Sequence, residues 1–292
     1  MRIPIFTDDP GWQGKQLQRA FATRGIESVF ISLRDCMLDL TNEGVVRVPG
    51  FSEQPKAAFV RGIAGGTLPQ VIIRLNILHA LERADAKIYN DVRAIERSVD
   101  KAMTSFILKQ HQISTPATWI CESSLQAKMI LQQSSHPLVM KPLFGSQGKG
   151  VRLLKKDDLL PIPMEQYVDG VYYLQQYIRT SSIPHDYRVF VIANKAIAAM
   201  RRIGESWVSN VAQGGRCESV SVESEIAALA VKASQVLNMP YCGVDIIQSE
   251  TGELYVLEVN SIPAWYGLQQ VTNIDIAQCL VDDFLRCLRV SK

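Results

Sequence analysis

The chain has 292 residues, 47% of them hydrophobic and 21% charged, with a formal net charge of +2. That length exceeds one small core and implies two or three sub-domains. The composition is that of a soluble globular protein, and the near-neutral balance excludes nucleic acid and anionic membranes as obvious partners. No apolar stretch approaches the roughly 20 residues of a membrane span, and Met1–Phe6 is too short for a signal peptide, so a cytoplasmic protein is expected. Six cysteines (Cys36, Cys121, Cys217, Cys242, Cys279, Cys287) and four histidines are scattered without a CxxC pair. Reduced thiols and no zinc site follow.

In chain order, Arg2–Phe6 predicts a strand, Asp8–Gly11 a turn, and Gln13–Arg24 a helix closed by Gly25. Glu27–Ser32 and Ala57–Val60 predict further strands, so the start reads as an α/β unit with a parallel sheet. Arg61–Thr67 is Gly-rich and precedes a helix from about Pro69 to Ala84. Such a junction either holds an anion on backbone N–H groups or is a tight turn. Ile88–Asn90 closes the first unit, and Ile95–Gln110 predicts a helix with Lys101 in its early turns. Thr118–Cys121 reads as a strand and Leu125–Gln133 as a helix.

Pro137–Pro142, Leu143–Gly150 and Val151–Leu154 read as strand, glycine loop, strand. Lys149 is followed by Gly150 and a strand, so a P-loop is excluded. Gly145, Ser146, Gly148 and Gly150 suit a flexible hairpin whose backbone approaches polyphosphate, with Lys141 at its base. Tyr173–Ile178 predicts another strand. Asp186–Ala193 and Ala196–Arg202 flank Asn194-Lys195, and a two-residue turn there puts Arg188 opposite Arg201. Facing arginines call for an anion between them. Trp207–Arg216 reads as a loop, Glu223–Leu237 as a helix, and Ile274–Leu288 as a closing amphipathic helix.

Gly243–Ile247 and Leu254–Asn260 flank a turn-rich patch and predict a hairpin. A four-residue loop, Glu250–Glu253, pairs Ser249 with Leu254 and puts Asp245 opposite Glu258. Alternation brings Asn260 to the same face. Opposed carboxylates repel, and a hard cation such as Mg²⁺ relieves that.

This order of Lys101, Lys141 with its glycine loop, Gln175–Ile178, Asp186 with Arg188, Asn210, and Asp245, Glu258 and Asn260 resembles the ATP-grasp superfamily, and within it the RimK-type glutamate ligases. The resemblance spans about Phe59 to Leu268 and rests most on Ser98–Lys101, Asp186–Val191, Ser209–Val211 and Leu257–Asn260. It implies an α/β (α+β) ATP-grasp fold with an N-terminal βα domain over 1–96, a central lobe over 97–185 and a C-terminal lobe over 186–292. It implies that Lys101 and Lys141 contact ATP phosphates, that Gln176, Tyr177 and Ile178 flank the adenine, and that Asp186 lies near the ribose. Arg188, Arg201 and Asn210 would hold the transferring phosphate and the acyl phosphate, and Asp245, Glu258 and Asn260 would bind Mg²⁺ or Mn²⁺.

The implied reaction joins a carboxylate-bearing acceptor to an amino acid, L-glutamate, at the expense of ATP; a homo-oligomer is compatible with it. The hinge acid common in the family is Gln176 here. Ser261–Leu268 is similar to a branch that adds glutamate to tetrahydromethanopterin-type pterins, and a peptide C-terminus is the other acceptor considered. A small-molecule kinase and a nucleotide-binding regulator without turnover are the competing readings.

Overall fold

The structure, a computed structural model, describes residues 1–41, 44–145, 150–160, 170–181, 183–204 and 216–290. The first unit holds β1 (Arg2–Phe6), α1 (Gly11–Thr23), β2 (Glu27–Ile31), β3 (Met37–Asp39), β4 (Val45–Arg47), β5 (Ala57–Val60), α2 (Leu68–Arg83) and β6 (Lys87–Tyr89). β2-β1-β5-β6 form a parallel sheet. Its strands are short apolar runs because helices cover both faces. Gly25, at φ +68, turns the chain out of α1 in a left-handed conformation. The small β3–β4 hairpin has no counterpart in the sequence reading, since three-residue strands carry too little periodicity to register.

Next come α3 (Val92–Val99), α4 (Lys101–Gln110), β7 (Thr118–Cys121), α5 (Ser124–Gln133), β8 (Leu138–Lys141), β9 (Arg152–Leu154) and β10 (Tyr172–Gln176). The single helix expected over Ile95–Gln110 is broken at Asp100. Asp100 leaves helical geometry, and its carboxylate accepts from the amides of Ala102 and Met103. That cap starts a new helix with Lys101 in its first turn. β7-β10-β8-β9 form an antiparallel sheet, so the strands on either side of the glycine loop do pair.

The last part holds β11 (His185–Ile192), β12 (Lys195–Ile203), β13 (Arg216–Val220), α6 (Glu225–Val236), β14 (Tyr241–Gln248), β15 (Leu254–Asn260), α7 (Tyr266–Gln269) and α8 (Ile276–Val290). Its antiparallel sheet runs β13-β12-β11-β14-β15. One face packs on α6 through Val189, Val191, Ala199 and Val244. The other carries Phe190, Met200 and Tyr241 into a core shared with Ile5, Phe21 and Phe59 of the first unit and with Phe284 of α8. The first sheet and the last are therefore locked through one apolar core.

Two registers differ from expectation. Ala193 and Asn194, at φ +48 and +60, form the β11–β12 turn one residue earlier than expected, and Ile197 bulges out of the ladder. Arg188 therefore pairs with Met200, and Arg201 pairs with Tyr187 on the opposite face. A one-residue slip moves a whole strand's side chains across the sheet. In the β14–β15 hairpin Gln248, not Ser249, pairs with Leu254, but a bulge at Leu257 restores Asp245 opposite Glu258.

Asp100→Ala removes the acceptor of two first-turn amides, for an expected loss of about 1 kcal/mol. A thermal melt should fall by roughly 2–4 °C. An unchanged melt would show that α4 holds its start without the cap.

Candidate active site

The site begins with four charged side chains that the register of the last sheet puts on one face. Asp245 of β14 lies opposite Arg188 of β11, and Asp186 lies opposite Arg202 of β12. Arg188 donates to both oxygens of Asp245, through Nε to Oδ1 and through Nη2 to Oδ2 at 2.7 Å. Arg202 grips Asp186 through Nε at 2.7 Å and Nη2 at 2.6 Å, and its Nη2 also lies 3.0 Å from Asp245 Oδ2. All but Asp186 are nearly fully buried. Burial alone would raise the Asp245 carboxyl; the guanidiniums of Arg188 and Arg202 outweigh it and hold the group well below the usual carboxylate range. A side chain at Gly243 would meet Pro263 at 2.8 Å and Arg188 at 3.2 Å, so only glycine lets that loop close over the arginine.

The central sheet and α4 each contribute one ammonium group. Lys141 ends β8, and its Nζ donates to Gln175 Oε1 at 2.6 Å. Gln175 in turn donates to Thr118 Oγ1 at 3.1 Å and Tyr173 Oη at 3.3 Å, and Tyr173 Oη shares a hydrogen bond with Ser105 of α4. This buried relay fixes where the lysine points. Burial pushes the Lys141 ammonium below its ordinary value, Glu258 pulls it back up, and Lys101 adds repulsion. Burial likewise lowers Lys101, against the attraction of Glu258 and Asp100. Lys101 Nζ donates to the carbonyls of Leu143 at 3.1 Å and Gly145 at 2.9 Å, tying α4 to the root of the glycine loop.

Glu258 Oε1 accepts from Asn260 Nδ2 at 3.0 Å, so the two side chains meet as alternation requires. That bond leaves the amide oxygen of Asn260 and the second oxygen of Glu258 as hard donors. Such a pair fits Mg²⁺, which takes oxygen ligands together with phosphates. Asp245 is different. Its oxygens already serve two arginines, so the bare carboxylate pair expected across the hairpin is neutralised within the protein. Among the described residues no group of three or more His, Cys, Asp and Glu side chains forms a metal cage. A metal here needs amide and phosphate oxygens as well.

Several expected site residues sit elsewhere. Arg201 lies on the far face, 3.5 Å from Glu218, because the shifted turn and the Ile197 bulge carry it away from Arg188. Each oxygen of Asp186 accepts from Arg202, so the carboxylate orients that arginine and keeps further lone pairs. β10 ends at Gln176, so Tyr177 and Ile178 lie beyond the strand. Alternation puts Gln175, not Gln176, on the face shared with Lys141. Gly145 and Gly150 bound the loop at φ +148 and +75, whereas Ser146, Gly148 and Asn210 fall outside the described residues. Arg202 and Gln175 were missed by the sequence reading. The available signals were the second arginine of Arg201-Arg202 and the need of a strand-end lysine for a buried acceptor.

Residues 98–284 match the RimK-like ATP-grasp domain. The tetrahydromethanopterin:α-L-glutamate ligase of Methanococcus maripaludis is 31% identical over 291 residues, covering 98% of each chain. The protein of the same name from Methanocaldococcus jannaschii is 34% identical over 250 residues, 82% of each. A probable α-L-glutamate ligase of Saccharophagus degradans is 31% identical over 98% of this chain and 95% of its own. Among solved structures, the ATP-grasp ligase PsnB with its minimal precursor superposes with a TM-score of 0.76 at 19% identity, over 97% of this chain and 98% of that one. D-cycloserine synthetase DcsG gives 0.72 at 14% identity, over 99% and 100%. The fold is ATP-grasp.

Arg202→Met leaves two buried carboxylates short of a partner, which should cost about 3–5 kcal/mol at neutral pH. The Asp245 carboxyl is held low in the folded state. The stability it adds is therefore complete above the unfolded value of about 3.9 and is lost as pH falls toward the folded value. Denaturant titrations should show the gap between variant and wild type narrowing below about pH 4. A gap independent of pH would contradict the pairing.

Proposed function

The chain belongs to the RimK-like ATP-grasp family and is an ATP-dependent carboxylate–amine ligase, and from that premise we propose that it joins the amino group of L-glutamate to a carboxylate-bearing acceptor. The observation that carries this reading is the convergence of Lys101, Lys141, Arg188 and Arg202 on Glu258, Asn260 and Asp245. A triphosphate needs cations along its length, and an acyl phosphate needs donors at its oxygens.

In this reading the nucleotide lies between the central lobe, 97–185, and the C-terminal lobe, 186–292, with 1–96 as the N-terminal domain. Tyr177 and Ile178, just past the end of β10, flank the adenine. Lys141, oriented by Gln175, meets the α- or β-phosphate. Lys101 links the phosphates to the glycine loop through the loop's own carbonyls, so loop position and phosphate binding are coupled. Ser146, Gly148 and Gly150 belong to that cover. Glu258 and Asn260, with Asp245 behind them, would hold Mg²⁺ or Mn²⁺, and the ion would supply charge neutralisation at the phosphates.

A carboxylate oxygen of the acceptor attacks the γ-phosphorus, the bond to the β-bridging oxygen breaks, and ADP leaves. Arg188 and Arg202, fixed by Asp245 and Asp186, face the oxygens of the acyl phosphate. The glutamate amine adds to the acyl carbon, Arg188 stabilises the oxyanion, and collapse expels phosphate and leaves an amide. Acyl phosphates hydrolyse, so the glycine loop has to keep water out. Asn210 is kept as a candidate phosphate contact. The six cysteines form no disulfide among the described residues, which fits a reducing, cytoplasmic setting. Among the described residues no helix is long and apolar enough to cross a membrane.

A panel of acids tested for glutamate-dependent ADP release, with hydroxylamine as a second amine, tests the reading. Acyl hydroxamate is the expected product; ADP release that yields a stable phosphorylated acid instead would make the protein a kinase. Glu258→Gln should abolish Mg²⁺-dependent ADP release with an unchanged melt. Lys141→Ala should raise the KM for ATP at least about tenfold, or about 1.4 kcal/mol. Near-wild-type turnover in the first, or an unchanged KM in the second, would remove that residue from the site.

A further inference from the structure

The Gly-rich stretch Arg61–Thr67 is not used by the phosphate site. Its end is tied to α2: Arg74 donates to the carbonyls of Ala64 at 2.6 Å and Gly65 at 3.1 Å, and Gln70 accepts from the amide of Thr67 at 3.0 Å. What the stretch leaves over is Arg61 itself. Its guanidinium lies 5.1 Å from the ring centre of Trp265, and among the described residues its side chain makes only one long donation, 3.5 Å from Nη1 to Ile262 O.

Its Nε is buried with no hydrogen-bond partner among the described residues, and so is the indole N–H of Trp265, a side chain 1% exposed. Two buried donors in contact, one cationic, both without an acceptor, are costly unless an acceptor arrives. No carboxylate lies within ion-pair distance of Arg61 among the described residues. Asp9 is near enough to be felt, but its Oδ1 accepts from the amide of Gly11.

The position bears on the reaction. Arg61 reaches Ile262 O, and Arg188 reaches Ala264 O at 3.4 Å. These carbonyls are two residues apart on one segment, so they are separated by at most about 7 Å. Asn90 fixes that segment by donating to Ser261 O at 2.9 Å, and Trp12 packs edge-on to Trp265. The donors of Arg61 and Arg188 are therefore at most about 14 Å apart, a span that a short diacid gripped at both ends can bridge.

We propose that Arg61, with the indole N–H of Trp265, binds a second anionic group on the acceptor, a carboxylate, so that the enzyme takes dicarboxylic rather than monocarboxylic acids. The proposal rests on the ligase reading for the place of the reacting carboxylate, while the anion site itself does not depend on turnover. A carboxylate suits a guanidinium because two parallel N–H donations fit its two oxygens. Lysine does not reproduce that fork.

The test is calorimetry on the full chain with three probes: glutarate, butyrate and 4-phosphonobutyrate. Wild type is expected to bind glutarate at least tenfold more tightly than butyrate. Arg61→Met should bind the two equally, Arg61→Lys should lose most of the preference, and ATP affinity should not change in either. Trp265→Phe keeps the ring and removes the N–H, and should weaken glutarate at least threefold; it decides the matter if Arg61→Met does not fold. Equal binding of glutarate and butyrate to wild type, or a preference retained in Arg61→Met and Arg61→Lys, would overturn the proposal. Binding of 4-phosphonobutyrate in preference to glutarate would overturn the choice of carboxylate. A protein that binds glutarate through Arg61 yet releases no ADP with any acid–amine pair would leave this site standing and remove the ligase reading.

Discussion

Asp245 sits between two guanidiniums, and most of the site follows from that arrangement. Its carboxylate is shared by Arg188 and Arg202, and Arg202 is held from behind by Asp186. A buried ion cluster contributes little net stability, because desolvation offsets most of the attraction. Its value lies in direction. Each arginine is held in one pose by its carboxylate partners, so its remaining donors are fixed in advance. Gly243 allows this by leaving room for the Pro263 loop to pass over Arg188.

The second constraint is the shared core. Phe59, Tyr89, Tyr241, Phe190 and Phe284 interlock the first parallel sheet with the last antiparallel one. Asn90 and Ser98 then fasten the Ser261 end of β15. The face with the arginines is therefore rigid toward the N-terminal unit. Lys141 comes from the separate β7-β10-β8-β9 sheet, whose hydrophobic cluster is its own, whereas Lys101 comes from α4, whose Leu108 packs under the last sheet.

Much of this was legible in the sequence, and the failures have physical causes. The hairpin with Asp245 opposite Glu258 was found, although the loop is one residue longer than expected and the Leu257 bulge cancels the error. The arginine hairpin had no such cancellation. Alanine at a left-handed turn position gives no signal in composition, and the Ile197 bulge gives none in periodicity, so Arg201 was expected opposite Arg188, where Met200 lies. The break at Asp100 was missed because apolar spacing continues across it, while the cap that makes the break is a single side chain. Gln175 was seen as part of a strand. Only burial beside Lys141 shows what it does.

The central claim is that ATP activates a carboxylate as an acyl phosphate that an amine then opens. Following oxygen tests it most directly. With glutarate labelled with ¹⁸O in its carboxylates, ATP, Mg²⁺ and L-glutamate, one labelled oxygen should appear in the released inorganic phosphate for each amide formed. Phosphate free of label in a reaction that consumes ATP and forms amide would contradict the account.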